Sequence, residues 1–118
     1  MKILIAEDQP IILKMLAFKI EKSGFEVIGA VDGQQAIQFF KTEKPDLVIT
    51  DLLMPFATGL EVINAVRNKF MATTPILVLS NMGLEDVITE AFKLGADDYI
   101  TKPFIPSEIM LRIKKMLG

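Results

Sequence analysis

Four short apolar runs in this chain each lead into a group that can handle charge. KILIA is followed by Glu7 and Asp8, LVIT by Asp51, ILVL by Ser80, and the short YIT by Lys102. An ionised carboxylate taken out of water is costly unless something pairs with it, so folding alone gives no reason to place Asp51 at the end of a core-building run. Three carboxylates drawn close together repel, and one is forced to take up a proton unless a cation stands among them. With no histidine and no cysteine in the chain, only hard oxygen ligands are on offer. Such a set favours Mg2+, which takes one or two carboxylates, keeps several waters and completes its shell with phosphate oxygens. The other groups suit a phosphate as well: Lys102 is a compact positive charge, Ser80 a hydroxyl donor, and Asp51 a carboxylate nucleophile able to form an acyl phosphate.

Composition removes most competing chemistries. The absence of cysteine excludes disulfides and thiolate metal sites, and the absence of histidine removes the usual neutral-pH base and transition-metal ligand. A net charge of −2 argues against direct nucleic-acid contact. Apolar runs are cut by Asp, Glu or Lys well short of the roughly 18 residues a membrane span needs, and MKILIAED is too short for a secretory signal, so no membrane association and a cytoplasmic location are expected. At 118 residues, 51% of them hydrophobic and 24% charged, one globular domain over residues 1–118 is expected.

The polar groups need elements to hold them. Residues 2–6 read as a buried strand. Pro10 then opens a helix with Ile12, Met15, Leu16 and Ile20 on one face, and Gly24 closes it. Phe25 to Ala30 suit a second strand, Asp32 caps a helix that turns Ala36, Ile37 and Phe40 inward, and Pro45 stops it before a strand over 47–50. A loop through Pro55 and Gly59 leads to a third helix with Leu60, Ile63, Ala65 and Val66. Ile76 to Leu79 form the fourth strand, Val87, Ile88, Ala91 and Phe92 a fourth helix ended by Gly95, and Tyr99 and Ile100 a short fifth strand. From Pro106 or Ser107, Ile109, Ile113, Met116 and Leu117 mark the last amphipathic helix, and Met15 and Met116 read as core filler. Strict alternation of strands and helices predicts an α/β fold, a five-stranded parallel sheet with helices on both faces. Ligands in such sheets gather beyond the carboxyl ends of the strands, where the polar groups fall.

AEDQ (6–9), DLLMPFATG (51–59), LVLSN (77–81) and GADDYITKPF (95–104) together resemble the response-regulator receiver domain, over Ile3 to Leu117. Singly, each is an ordinary cap, loop or core group; jointly, in this order at four strand ends, they carry the resemblance. It implies strand order 2-1-3-4-5 (flavodoxin-like) and a phosphoacceptor switch of two-component signalling. Asp51 would accept a phosphoryl group from a histidine on a partner kinase or phosphotransfer protein. Asp8 would ligate Mg2+ directly, Glu7 through water, with Asp51 and the Leu53 backbone carbonyl as further ligands. Ser80 and Lys102 would hold the phosphoryl oxygens, Tyr99 would swing inward with Ser80, and the bond before Pro103 would be cis. The domain would catalyse its own phosphorylation and dephosphorylation without being a conventional enzyme. Its fourth helix, fifth strand and fifth helix would then address an output domain, a target protein or a second copy.

Some positions depart from the family pattern. Asn81 stands where Ala or Gly is usual and brings an amide to the phosphoryl site. Leu53 and Met82 are apolar where polar groups are common, and on this reading shield an acyl phosphate from water. Asp98, Glu108 and Arg112 match a charge-paired homodimer, whereas Ile88 and Glu90 replace the basic residues that mode uses. Two other readings have specific obstacles. A Mg2+-dependent phosphohydrolase with an aspartyl nucleophile usually has a second acid where Leu53 stands, and a flavin module needs a phosphate-cradling loop where EDQPII lies.

Overall fold

The computed structural model describes residues 1–118. Five parallel strands, β1 (Lys2–Ala6), β2 (Glu26–Ala30), β3 (Leu47–Asp51), β4 (Ile76–Ser80) and β5 (Asp98–Thr101), lie in the order β2-β1-β3-β4-β5. Alternate residues of a strand face opposite sides, and here that alternation sorts one sheet into two cores. Leu4, Val48, Ile76 and Val78 join Ala36, Phe40, Val62, Ile63, Val66 and Ala91 on one side. Ile3, Ile5, Leu47, Ile49, Leu77, Leu79 and Ile100 join Leu16, Ile20, Ile109 and Ile113 on the other. The three inner strands are wanted by both faces, which is why they read as unbroken apolar runs.

The helices are α1 (Pro10–Lys22), α2 (Gly33–Glu43), α3 (Gly59–Asn64), α4 (Glu85–Leu94) and α5 (Pro106–Leu117). Pro10 and Pro106 occupy first-turn positions, where a missing N–H costs nothing. The Asp32 carboxylate accepts from the Gln35 amide at 2.8 Å and the Thr58 hydroxyl from the Glu61 amide at 3.3 Å, capping α2 and α3.

Several elements differ from the sequence-based expectation. Phe25 lies before β2, which begins at Glu26, and β3 extends one residue further to include Asp51. The third helix is α-helical only as far as Asn64 and continues as a wider π-helical turn over Ala65–Lys69. Met15 and Phe92 face outward, 37% and 40% exposed, so neither fills the core. Helical spacing identifies a stripe but not its width, and the sheet covers only its middle.

Arg67, on the π-helical turn, ties the pole of the sheet opposite the polar strand ends. Its guanidinium donates to the carbonyls of Gly95 (3.1 Å), Ala72 (3.0 Å) and Thr74 (2.7 Å) and to Asp97 (3.0 Å). The Asp97 carboxylate also accepts from the Ile76 amide at 2.8 Å, so the start of β4 is held in the same network. Gly95 has φ +120°, and a Cβ there would lie 2.8 Å from Arg67 Nε, so both conformation and packing require glycine. Replacing Arg67 by Met leaves three carbonyls without their donor; urea unfolding is expected to show a loss of about 2–3 kcal/mol.

Candidate functional site

Parallel register brings the strand ends level. Ala6 pairs with Thr50, Thr50 with Val78, Asp51 with Leu79, and Ser80 with Thr101. Glu7 and Asp8 therefore emerge beside Asp51, and Lys102 emerges beyond Ser80, whose carbonyl accepts from the Lys102 amide at 2.6 Å. The Lys102-Pro103 peptide is cis. Carboxylate oxygens of Glu7, Asp8 and Asp51 lie within 4.8 Å of one another.

Burial sets the electrostatics. Glu7 is fully buried and Asp51 is 3% exposed. The Lys102 ammonium donates to Glu7 Oε1 at 2.7 Å and to Asp51 Oδ2 at 2.8 Å. The other oxygen of each acid is also used: Glu7 Oε2 accepts from the Gln9 amide at 3.1 Å, and Asp51 Oδ1 from the Leu52 amide at 2.7 Å and the Leu53 amide at 3.4 Å. Burial still pushes the Glu7 carboxyl above its ordinary range, against the bonds from Lys102 and Gln9 and with some help from the Asp51 charge. For Lys102, burial works against the ammonium, but the bonds to Asp51 and Glu7 and their charges prevail and hold it above its usual value.

The expectation that a metal ion alone relieves the crowded acids needs correction, because Lys102 already stands between two of them. Three acid side chains nevertheless outnumber the one ammonium, with the half-buried Asp8 making no hydrogen bond from its side chain. An oxygen-only set with that surplus fits a hard divalent ion. Ser80 supplies a second feature that fits such a group: its hydroxyl is fully buried and has no hydrogen-bond partner in the protein. A buried hydroxyl without a partner is rare in folded proteins and costs about 1–3 kcal/mol, so an arriving acceptor would be favoured here.

The remaining sequence candidates lie around this centre. Leu53 and Met82 are exposed at 50% and 76% on the loops after β3 and β4. Asn81, also exposed, lines a cleft of about 440 Å³ with Gln9, Ile12, Lys102, Pro103 and Phe104. Tyr99 points outward and packs edge-on against Phe92, with ring centres 5.9 Å apart. A hollow of about 230 Å³ lies between Tyr99, Thr101, Ile88 and the loop from Asn81 to Glu85. Arg112 pairs within the chain, with Asp98 at 2.9 Å and Glu108 at 3.6 Å, and donates to the Tyr99 carbonyl at 2.9 Å.

Residues that position Asp51 escaped the sequence reading. The Thr50 hydroxyl donates to the Asp51 carbonyl at 2.9 Å. A Cβ on Gly59 would come 2.2 Å from that same carbonyl oxygen, and one on Gly33 would come 2.0 Å from the Ala57 carbonyl oxygen. These contacts fold the loop after β3 tightly over its strand, and the neighbours of a glycine in the sequence give no hint of such a long-range contact.

Residues 3–114 match the family model described as response regulator receiver domain. The chain is 40% identical over 116 residues to the alkaline phosphatase synthesis transcriptional regulatory protein PhoP of Bacillus subtilis, covering 98% of this chain and 48% of that protein. It is 38% identical over 116 residues to the phosphate regulon transcriptional regulatory protein PhoB of Pseudomonas aeruginosa, covering 98% and 51%. It thus spans about half the length of the curated relatives it matches. Among solved structures, the chemotaxis response regulator CheY4 of Vibrio cholerae superposes with a TM-score of 0.91 at 31% identity, covering 98% of each chain. A response regulator receiver domain protein from Clostridium thermocellum gives 0.91 at 28% identity, covering 98% of this chain and 93% of that one.

The Lys102 bridge yields a direct test. Lys102→Met leaves two buried carboxylates without their cation, and urea unfolding without divalent ions at neutral pH is expected to show a loss of about 3 kcal/mol.

Proposed function

The chain belongs to the response regulator receiver domain family, and from that premise we propose that it is a phosphoacceptor switch in which Asp51 takes a phosphoryl group from a histidine on a partner kinase or phosphotransfer protein. The observation that carries this reading is the buried, partnerless hydroxyl of Ser80 one step beyond the Asp51–Lys102 pair. On this reading residues 1–118 form one receiver unit, a half-enzyme that supplies the acceptor and the charge-neutralising groups while the partner supplies the donor.

In the transfer, the phosphorus–nitrogen bond to the donor histidine breaks and a phosphorus–oxygen bond to Asp51 forms. Backbone amides on one oxygen of Asp51 and Lys102 on the other fix the carboxylate before the donor arrives, so orientation is prepaid. Lys102 then moves its positive charge from the carboxylate to a phosphoryl oxygen, and Ser80 donates its free hydroxyl to another. Asp8, Asp51 and the Leu53 carbonyl would hold Mg2+, and Glu7 would act through water. When bound, the ion would offset negative charge on the phosphoryl oxygens.

Phosphorylation replaces one negative charge with about two and adds acceptor oxygens. As the Ser80 hydroxyl turns to meet them, Tyr99 moves from its exposed place on Phe92 into the hollow behind the Asn81–Glu85 loop. The repacked surface of α4, β5 and α5 is then read by an output domain, a target protein or a second copy. The names of PhoP and PhoB support transcriptional regulation as that output, carried by a segment other than this domain, which lacks a basic footprint of its own.

Incubation with acetyl phosphate and Mg2+ tests the chemistry: intact mass is expected to gain one phosphoryl group in the parent and none in Asp51→Asn, and a parent that gains nothing overturns the reading. Exposed apolar groups at Leu53 and Met82 are expected to slow attack by water. Leu53→Asn combined with Met82→Glu should therefore lose the phosphoryl group several-fold faster in a dephosphorylation time course.

A further inference from the structure

At the pole of the sheet remote from Asp51, between the end of α2 and the π-helical turn, lies a cavity of about 320 Å³ lined by Phe40, Lys41, Lys44, Phe70, Ala72 and Thr74. We infer that this cavity is a binding site for a small aromatic anion, a one- or two-ring carboxylate or sulfonate.

Three independent features converge on it. Its walls are aromatic: Phe40 and Phe70 stand 5.5 Å apart between ring centres at 34°, with Phe70 half-buried and Phe40 showing only an edge to the cavity, 7% exposed. Its rim is cationic and uncompensated. Lys41 and Lys44 are exposed and make no ion pair, nor does Lys69, whose ammonium lies 5.5 Å from the Phe70 ring centre. The acids next to them in sequence are turned away to Lys2: Glu43 meets its ammonium at 3.5 Å and Asp46 its amide at 2.8 Å. Its backbone is also unusual. Three residues other than glycine have positive φ, and two of them, Lys44 (φ 49°) and Met71 (φ 53°), flank this cavity. Lys44 is the left-handed C-cap of α2, a common helix ending, whereas Met71 lies between the lining residues Phe70 and Ala72 just after a π-helical turn, and such features concentrate at functional sites.

The site is preformed. Arg67 grips the carbonyls of Ala72 and Thr74, so the segment that makes one wall is held in place before any ligand arrives, which lowers the entropic cost of binding. Its volume is at the lower end for ligand pockets and suits one or two fused rings rather than a nucleotide.

Indole-3-acetate, added to the full 15N-labelled chain and followed by amide chemical shifts, tests the inference. Saturable shifts are expected at Lys44, Phe70, Met71, Ala72 and Thr74, with residues 7–9 and 51–53 unmoved. Because both lysines are exposed, Lys41→Glu with Lys44→Glu should keep the fold, checked by its melting curve, and weaken binding roughly tenfold or more. Neutral indole-3-ethanol should bind weaker by a similar factor. Absence of saturable shifts, equal binding by the double variant, or shifts centred on Asp51 would each overturn the site.

Discussion

The ammonium of Lys102, shared between two buried carboxylates that arrive from different strands, sets the conditions for everything at the carboxyl edge of the sheet. Its bond to Glu7 works against the burial that raises that carboxyl, and the bonds to Asp51 and Glu7 in turn hold the Lys102 ammonium above its usual value. The three groups are far apart in sequence, so the bridge exists only when β1, β3 and β5 are in register. An error of one residue in any strand would turn the group into the core instead. Sheet geometry and electrostatics are thus one constraint here.

That constraint explains why the fold was legible in the sequence while the balance of charge was not. The five apolar runs, the helix-opening prolines and the cap at Asp32 act locally, and each element followed from a few neighbouring residues. Met15 and Phe92 were misplaced because burial on a helix depends on how far the sheet extends beneath it, which spacing does not reveal. The π-helical turn at Ala65–Lys69 was invisible for a similar reason: Arg67 reaches Gly95, Ala72, Thr74 and Asp97, all of them outside its own turn. Glu7, Asp8, Asp51, Ser80 and Lys102 could be named in advance as a convergent set, but the pairing of Lys102 with two of the acids needed coordinates.

The two poles of the sheet also solve different problems. At the carboxyl edge, polar groups are withdrawn from water and nearly every carboxylate oxygen is committed, leaving only Asp8 and Ser80 without a side-chain partner. At the opposite pole Arg67 satisfies the carbonyls of loops that would otherwise end blindly against one another. The first arrangement pairs buried charge with buried charge; the second holds backbone in place.

On the proposed reading, readiness has a definite physical source. A ligand shifts a conformational equilibrium only through contacts it makes better in one state than in the other. Here the resting state keeps one such contact unmade, the Ser80 hydroxyl, and keeps another, Lys102, on a partner that the phosphoryl group would outbid with more charge and more acceptors. Net neutral hydrogen bonds are worth about 0.5–1.5 kcal/mol and charged ones about 1.5–3 kcal/mol, so these two contacts alone are of the size needed to move a marginally balanced loop. Tyr99, packed on Phe92 at the surface rather than inside, gives that loop somewhere to send the change. The switch therefore needs no long pathway: Ser80 and Thr101 are register partners on adjacent strands, and Tyr99 lies two residues before Thr101.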